Sequence, residues 1–113
     1  MPSDPAPHLA LARLYVYSLP DLDQARAEFA AAERLGAMPG RREIEQRGDA
    51  YRMRALQEAA SRQWDEADQD AREARRQYQQ IPGFDQADAH MRELDSIHRP
   101  VVIKKARRPV RWR

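Results

Sequence analysis

The chain contains no cysteine. That absence excludes a disulfide framework, a thiolate zinc site and a cysteine nucleophile. No apolar run approaches the ~18 residues that a membrane span needs. The opening segment, MPSDPAPH, has no basic stretch leading into an apolar one, so no signal peptide is expected and the chain reads as soluble and intracellular. Glycine is scarce, at four residues, and aromatic residues make up only 7%. Lysine is nearly missing: Lys104 and Lys105 are the only two, and every other strong base is arginine.

What remains is a chain of 113 residues, 42% hydrophobic and 34% charged, with a mean hydropathy of −0.93. A chain of this length holds one small domain, or a domain and an arm, and its modest apolar content asks for a simple fold of local contacts. The net charge of +2 conceals a split. All 18 acidic residues precede residue 98 and face thirteen arginines there, a balance of −5. Residues 98–113, HRPVVIKKARRPVRWR, carry seven Lys or Arg and no acid, a balance of +7. Three segments follow: a lead over 1–7, a helical body over 8–97 and a basic arm over 98–113. Such charge asymmetry points to charged partners.

The body is rich in Ala, Arg, Glu, Gln and Leu, which favour helix, and no stretch shows the alternation of a half-buried strand. The pattern predicts five helices. The first spans about 7–18 with Leu9, Ala12, Val16 and Leu19 on one face, and Pro20 stops it. Asp21, with Gln24 three residues on, caps the second, and Gly36 ends it. The third spans about 41–62 with Ile44, Tyr51, Ala55, Leu56 and Ala59 as its apolar face; the fourth spans about 64–80. Ile81-Pro82-Gly83 breaks it, and a fifth covers about 84–97 before Pro100.

An internal repeat runs through these helices. Leu22, Ala25, Phe29 and Ala32 in the second recur as Trp64, Ala67, Ala71 and Ala74 in the fourth, each offset by 42. Phe84, Ala87, Met91 and Leu94 open the fifth with the same spacing. Repeated helical hairpins imply units that bury their faces on one another, and alanine at the contacts lets helices approach closely. In Ala50, Tyr51, Ala55, Leu56, Trp64, Ala67, Ala71, Ala74 and Tyr78 the sequence resembles the tetratricopeptide repeat family. The resemblance covers residues 8–97 as about two and a half units, with a period of 42 rather than 34. It implies an all-α fold of antiparallel helical hairpins stacked as a short solenoid, followed by an extended basic arm. It also implies a non-catalytic adaptor or scaffold, a small subunit of a larger assembly, with a partner groove at Arg52, Met53, Leu56 and Ala60. Two and a half repeats are few, so an end face is left for a partner or a second copy.

Catalytic and metal patterns fit poorly, so no enzyme activity, cofactor or metal is expected. His90 and His98 are eight residues apart, too far to chelate as an i, i+4 pair, and the histidines read as exposed. Asp65, Glu66, Asp68, Asp70 and Glu73 ride a helix start, where the macrodipole favours acids, and lack the order of a calcium loop. Gly36 and Gly40 lack the flanking strand and Lys-Ser/Thr of a phosphate loop.

The arm carries the strongest functional signal. Arg99, Lys104, Lys105, Arg107, Arg108, Arg111 and Arg113 alternate with Val101, Val102, Ile103 and Trp112, and Pro100 and Pro109 oppose helix. Three anionic partners fit this chemistry: RNA, through phosphates and stacking on Trp112; an acidic protein surface; and an anionic lipid surface. RNA binding within a ribonucleoprotein is therefore the alternative to the adaptor reading.

Overall fold

The computed structural model describes residues 4–97. The predicted basic arm lies outside the described residues. Among the described residues the chain forms five helices and no strand: α1 (Ala6–Tyr17), α2 (Leu22–Arg34), α3 (Arg41–Ala60), α4 (Trp64–Tyr78) and α5 (Asp85–Leu94).

Local chemistry sets the ends. The Asp21 carboxylate accepts the Gln24 backbone N–H at 3.1 Å and caps α2. At its other end Gly36 takes φ +96°, and Ala37 N–H returns to Ala32 O at 3.0 Å while Gly36 N–H reaches Glu33 O at 2.9 Å. This is the Schellman closure that the predicted glycine stop requires. The Glu43 carboxylate accepts the Gly40 backbone N–H at 3.0 Å and fixes the start of α3.

The helices pair as two hairpins, α1 with α2 and α3 with α4; α3 also packs on both helices of the first pair, and α5 packs on α3 and α4. Two apolar clusters result. The first joins Ala12, Val16, Leu22, Ala25, Phe29 and Ala50; the second joins Ala55, Ala71, Ala74, Tyr78, Ile81, Ala87 and Leu94. Tyr51 packs against both, so α3 is the shared wall. The repeating positions lie where their spacing predicts: Ala25, Phe29, Ala32, Ala67, Ala71, Ala74, Ala87 and Leu94 are buried. Burying Leu94 or Val16 contributes about 1.5–3 kcal/mol each.

One expectation needs correction. Leu19 is 59% exposed rather than on a buried face, because α1 ends at Tyr17 and the chain turns there, with Leu19 N–H bonded to Leu14 O. The fifth helix shares the apolar spacing of α2 and α4, yet it packs on α3 and α4 as α3 packs on α1 and α2. The spacing reports one buried helix face and does not say which place in a hairpin the helix takes.

Gly48 lies inside α3 against the Tyr78 ring, and a Cβ there would stand 2.5 Å from Tyr78 Cε1. Glycine here permits a close approach that no other residue allows. Gly48→Ala should therefore lower stability by roughly 1–3 kcal/mol despite the better helix propensity of alanine. Urea unfolding measures this; a variant as stable as the parent would show that the ring does not rest on Gly48.

Candidate functional site

The next residue, Asp49, is 4% exposed and lies on the α3 face turned toward α1 and α5. A buried carboxylate needs donors to replace water. Tyr17 of α1 donates to Oδ2, and Tyr78 of α4 donates to Oδ1 at 2.5 Å. Arg52, one turn along α3, donates from Nε to the Tyr78 hydroxyl at 3.1 Å and brings Nη2 within 3.6 Å of Asp49. Its Nη1 donates to Glu93 of α5 at 2.9 Å. His90 of α5 places Nε2 3.6 Å from the same carboxylate and its ring 5.6 Å from that of Tyr78. Burial, and then the Asp49 carboxylate, push the Tyr17 and Tyr78 hydroxyls up, so both remain donors.

Beside this network a cleft of about 540 Å³ opens between α1, α3 and α5. Arg13 and Tyr17 line it from α1, Arg42, Glu45, Gln46 and Arg52 from α3, and Gln86 and His90 from α5. Arg13 and Arg42 are exposed, and neither makes an ion pair with another described residue. The cleft therefore offers the cationic donors of Arg13 and Arg42 beside Glu45 and above the Asp49–Arg52–Glu93 network. Burial, and then Asp49, push Glu45 up.

Glu45, Asp49 and His90 bring one ligand atom each within 4.8 Å of one another. Both Asp49 oxygens already accept tyrosine hydroxyls, and the Arg52 guanidinium stands beside them. The donor set fits a hydrogen-bonded network and not a cation centre.

A second cavity, of about 760 Å³, lies where the last turns of α3 run past the α1–α2 turn. Tyr15, Val16, Leu22 and Met53 form its apolar wall, and Asp21, Glu58 and Glu66 supply carboxylates. Glu58 is 6% exposed; its Oε2 accepts Arg54 Nε at 3.2 Å and its Oε1 has no hydrogen-bond partner. Burial, and then the adjacent Asp70, push the Glu58 carboxyl up to about 7.

The residues expected to form one partner groove are divided between these places. Arg52 lines the polar cleft and Met53 the larger cavity, while Leu56 is half-buried and Ala60 exposed. The expectation of exposed histidines needs correction. His90 is half-buried against Asp49 and Tyr78, and His8 pairs with Glu28 at 2.7 Å. Sequence spacing compared histidines only with each other, whereas the partners of His90 come from α3 and α4. Asp49 and Glu58 were missed because acids on an arginine-rich helix resemble a solvated face. One signal was available: the adjacent Gly48, placed in a helix interior where glycine costs ~1 kcal/mol.

No family model matches the chain, and neither does any curated protein or solved structure.

Desolvation, and then the Arg52 guanidinium, hold His90 below its ordinary value of 6.5, outweighing Asp49 and Glu93. Below that ordinary value the unfolded chain therefore binds the proton more readily than the folded one, and stability is lost as pH falls. The stability difference between the parent and His90→Gln should shrink as pH drops from about 7 to about 5. Urea unfolding across that range checks it; a difference that stays constant or grows would contradict the placement of His90.

Proposed function

We propose that this protein is a non-catalytic adaptor with a tetratricopeptide-like body, and that it holds an extended segment of a partner protein in the cleft between α1, α3 and α5. The observation that carries the reading is the cleft itself: three helices from successive hairpin positions face one another across it. The packing supports the solenoid reading, since α5 repeats against α3 and α4 the contacts that α3 makes with α1 and α2. The chemistry indicates an acidic segment. Arg13 and Arg42 offer guanidinium groups suited to bidentate carboxylate binding, and Gln46 and Gln86 offer amides for a peptide backbone. The network around Asp49 gives this surface a fixed floor, which reduces the ordering cost of binding.

A second reading, RNA binding in a ribonucleoprotein, rests on the seven cations of residues 98–113 with no acid among them. One experiment separates the two. The immobilised full chain is offered a random peptide library, and the selected peptides are titrated against the parent and against Arg13→Glu combined with Arg42→Glu. The adaptor reading expects acidic peptides whose affinity falls about tenfold or more in the variant at unchanged melting temperature. Peptides that bind the variant as tightly are held elsewhere and overturn it. No selected peptides, together with single-stranded RNA binding that weakens steeply between about 50 and 200 mM salt, supports the second reading.

A further inference from the structure

Helix α1 is the only one of the five described helices without an acidic residue, and His8 and Arg13 are its only bases. One face is covered: Ala12 and Val16 belong to the first apolar cluster, with Leu9 and Tyr15 packed against it. The opposite face is apolar as well. Ala6, Pro7, Ala10, Leu11, Leu14 and Tyr17 are all exposed. Among the described residues five large apolar side chains are exposed. Four of them, Leu11, Leu14, Tyr17 and Leu19, belong to α1 and the turn that follows it. A shallow hollow of about 330 Å³ lies on this face, lined by Ala10, Arg13, Leu14, Tyr17 and Ser18. A helix that is apolar all round is ordinarily covered all round.

In the row α1, α3, α5 the middle helix has a neighbour on each side, and α1 and α5 are the two ends. The ends differ in chemistry. The exposed residues of α5 are Gln86, Ala89, Arg92 and Glu93, with no large apolar side chain among them. A polar outer helix closes a stack of helices, whereas an apolar one requires a further neighbour. The polar α5 face matches the α1 face poorly, which disfavours head-to-tail stacking into an open fibre. The α1 face matches itself. Its first half is small, with Ala6, Pro7 and Ala10; its second half is large, with Leu14 and Tyr17. Two α1 helices lying antiparallel, level at Ala12, set Leu14 of each over Ala10 of the other and Tyr17 opposite Pro7. Large side chains then fill the space above small ones. Arg13, the one arginine of the face, stays at its edge, where it also lines the polar cleft.

We propose that this chain forms a two-fold dimer through the outer face of α1, with the two α1 helices antiparallel and Leu14 of each copy seated on Ala10 of the other. The polar faces of the two α5 helices then point outward at opposite ends. A helix of 12 residues is about 18 Å long, and one such face buries less than the ~800 Å² per partner of a standard stable interface. The dimer therefore exchanges with monomer, with a dissociation constant of about 1–100 μM. Leu11 and Leu14 line no part of the polar cleft, so this inference does not depend on what the cleft binds.

Sedimentation velocity of the full chain, from about 1 to about 500 μM, tests this. The expected result is one reversible step from 13.1 kDa to twice that mass. Leu11→Glu combined with Leu14→Glu should weaken dimerisation about tenfold or more. Helicity should not change, because both side chains are exposed in the single chain. The chain has no cysteine, so introduced ones report the contact even if that variant does not fold. Mild oxidation of Ala10→Cys chains mixed with Leu14→Cys chains should join one variant to the other. Leu14→Cys chains mixed with Ala89→Cys chains, which report head-to-tail stacking, should not be joined. A chain that stays monomeric at the highest concentration, a dimer indifferent to the two glutamates, growth into ever larger species, or disulfides between α1 and α5 would each overturn the proposal.

Discussion

The rest of the described structure depends on one buried carboxylate. An ionised Asp49 removed from water is unfavourable by several kcal/mol unless donors surround it. The donors come from far apart in sequence: Tyr17 from α1, Arg52 from α3 and Tyr78 from α4, with Glu93 of α5 paired to Arg52 and His90 of α5 beside the carboxylate. Four of the five helices are thus referred to one point. Gly48 belongs to the same device, because its missing Cβ lets the Tyr78 ring come close enough for the hydroxyl to reach the carboxylate.

This constraint matters because the apolar core is thin. Much of it is alanine, which permits close helix contacts but contributes little transfer free energy per residue. Two modest clusters, one per hairpin, meet at Tyr51. Apolar contacts of this kind tolerate small slides of one helix on another. A carboxylate with donors on three sides does not, since a shift of an ångström breaks its hydrogen bonds. The network therefore fixes the relation of α1, α3 and α5, and the geometry of the cleft between them follows. Arg47 serves a related role at the α2–α3 contact, with its guanidinium 4.9 Å over the Phe29 ring and paired with Glu33.

Much of the fold was legible in the sequence because its signals are local. Asp21 as a cap, Gly36 as a stop and the repeated Leu/Trp–Ala–Phe/Ala–Ala stripe act over one to three turns, and they place helices and buried faces correctly. The place of α5 was not legible, because its stripe has the same period whichever helix it opposes. The candidate site was legible only in fragments. Arg52 was singled out as a groove residue, and it does line the cleft. Asp49 and Glu58 were not, because burial of a helical acid is decided by side chains that approach from other helices. Their sequence neighbours, mostly polar, resemble those of any solvated helix face.

The central claim is that Asp49 holds α1, α3, α4 and α5 in one arrangement. Native-state amide hydrogen exchange on Asp49→Asn tests it most directly, because the substitution keeps the shape and removes the charge. The account predicts faster exchange in α1, α5 and the last turn of α4 as well as around Gly48–Arg52, with α2 retaining its protection. Faster exchange confined to the turn of α3 around residue 49, with α1 and α5 unchanged, would contradict it.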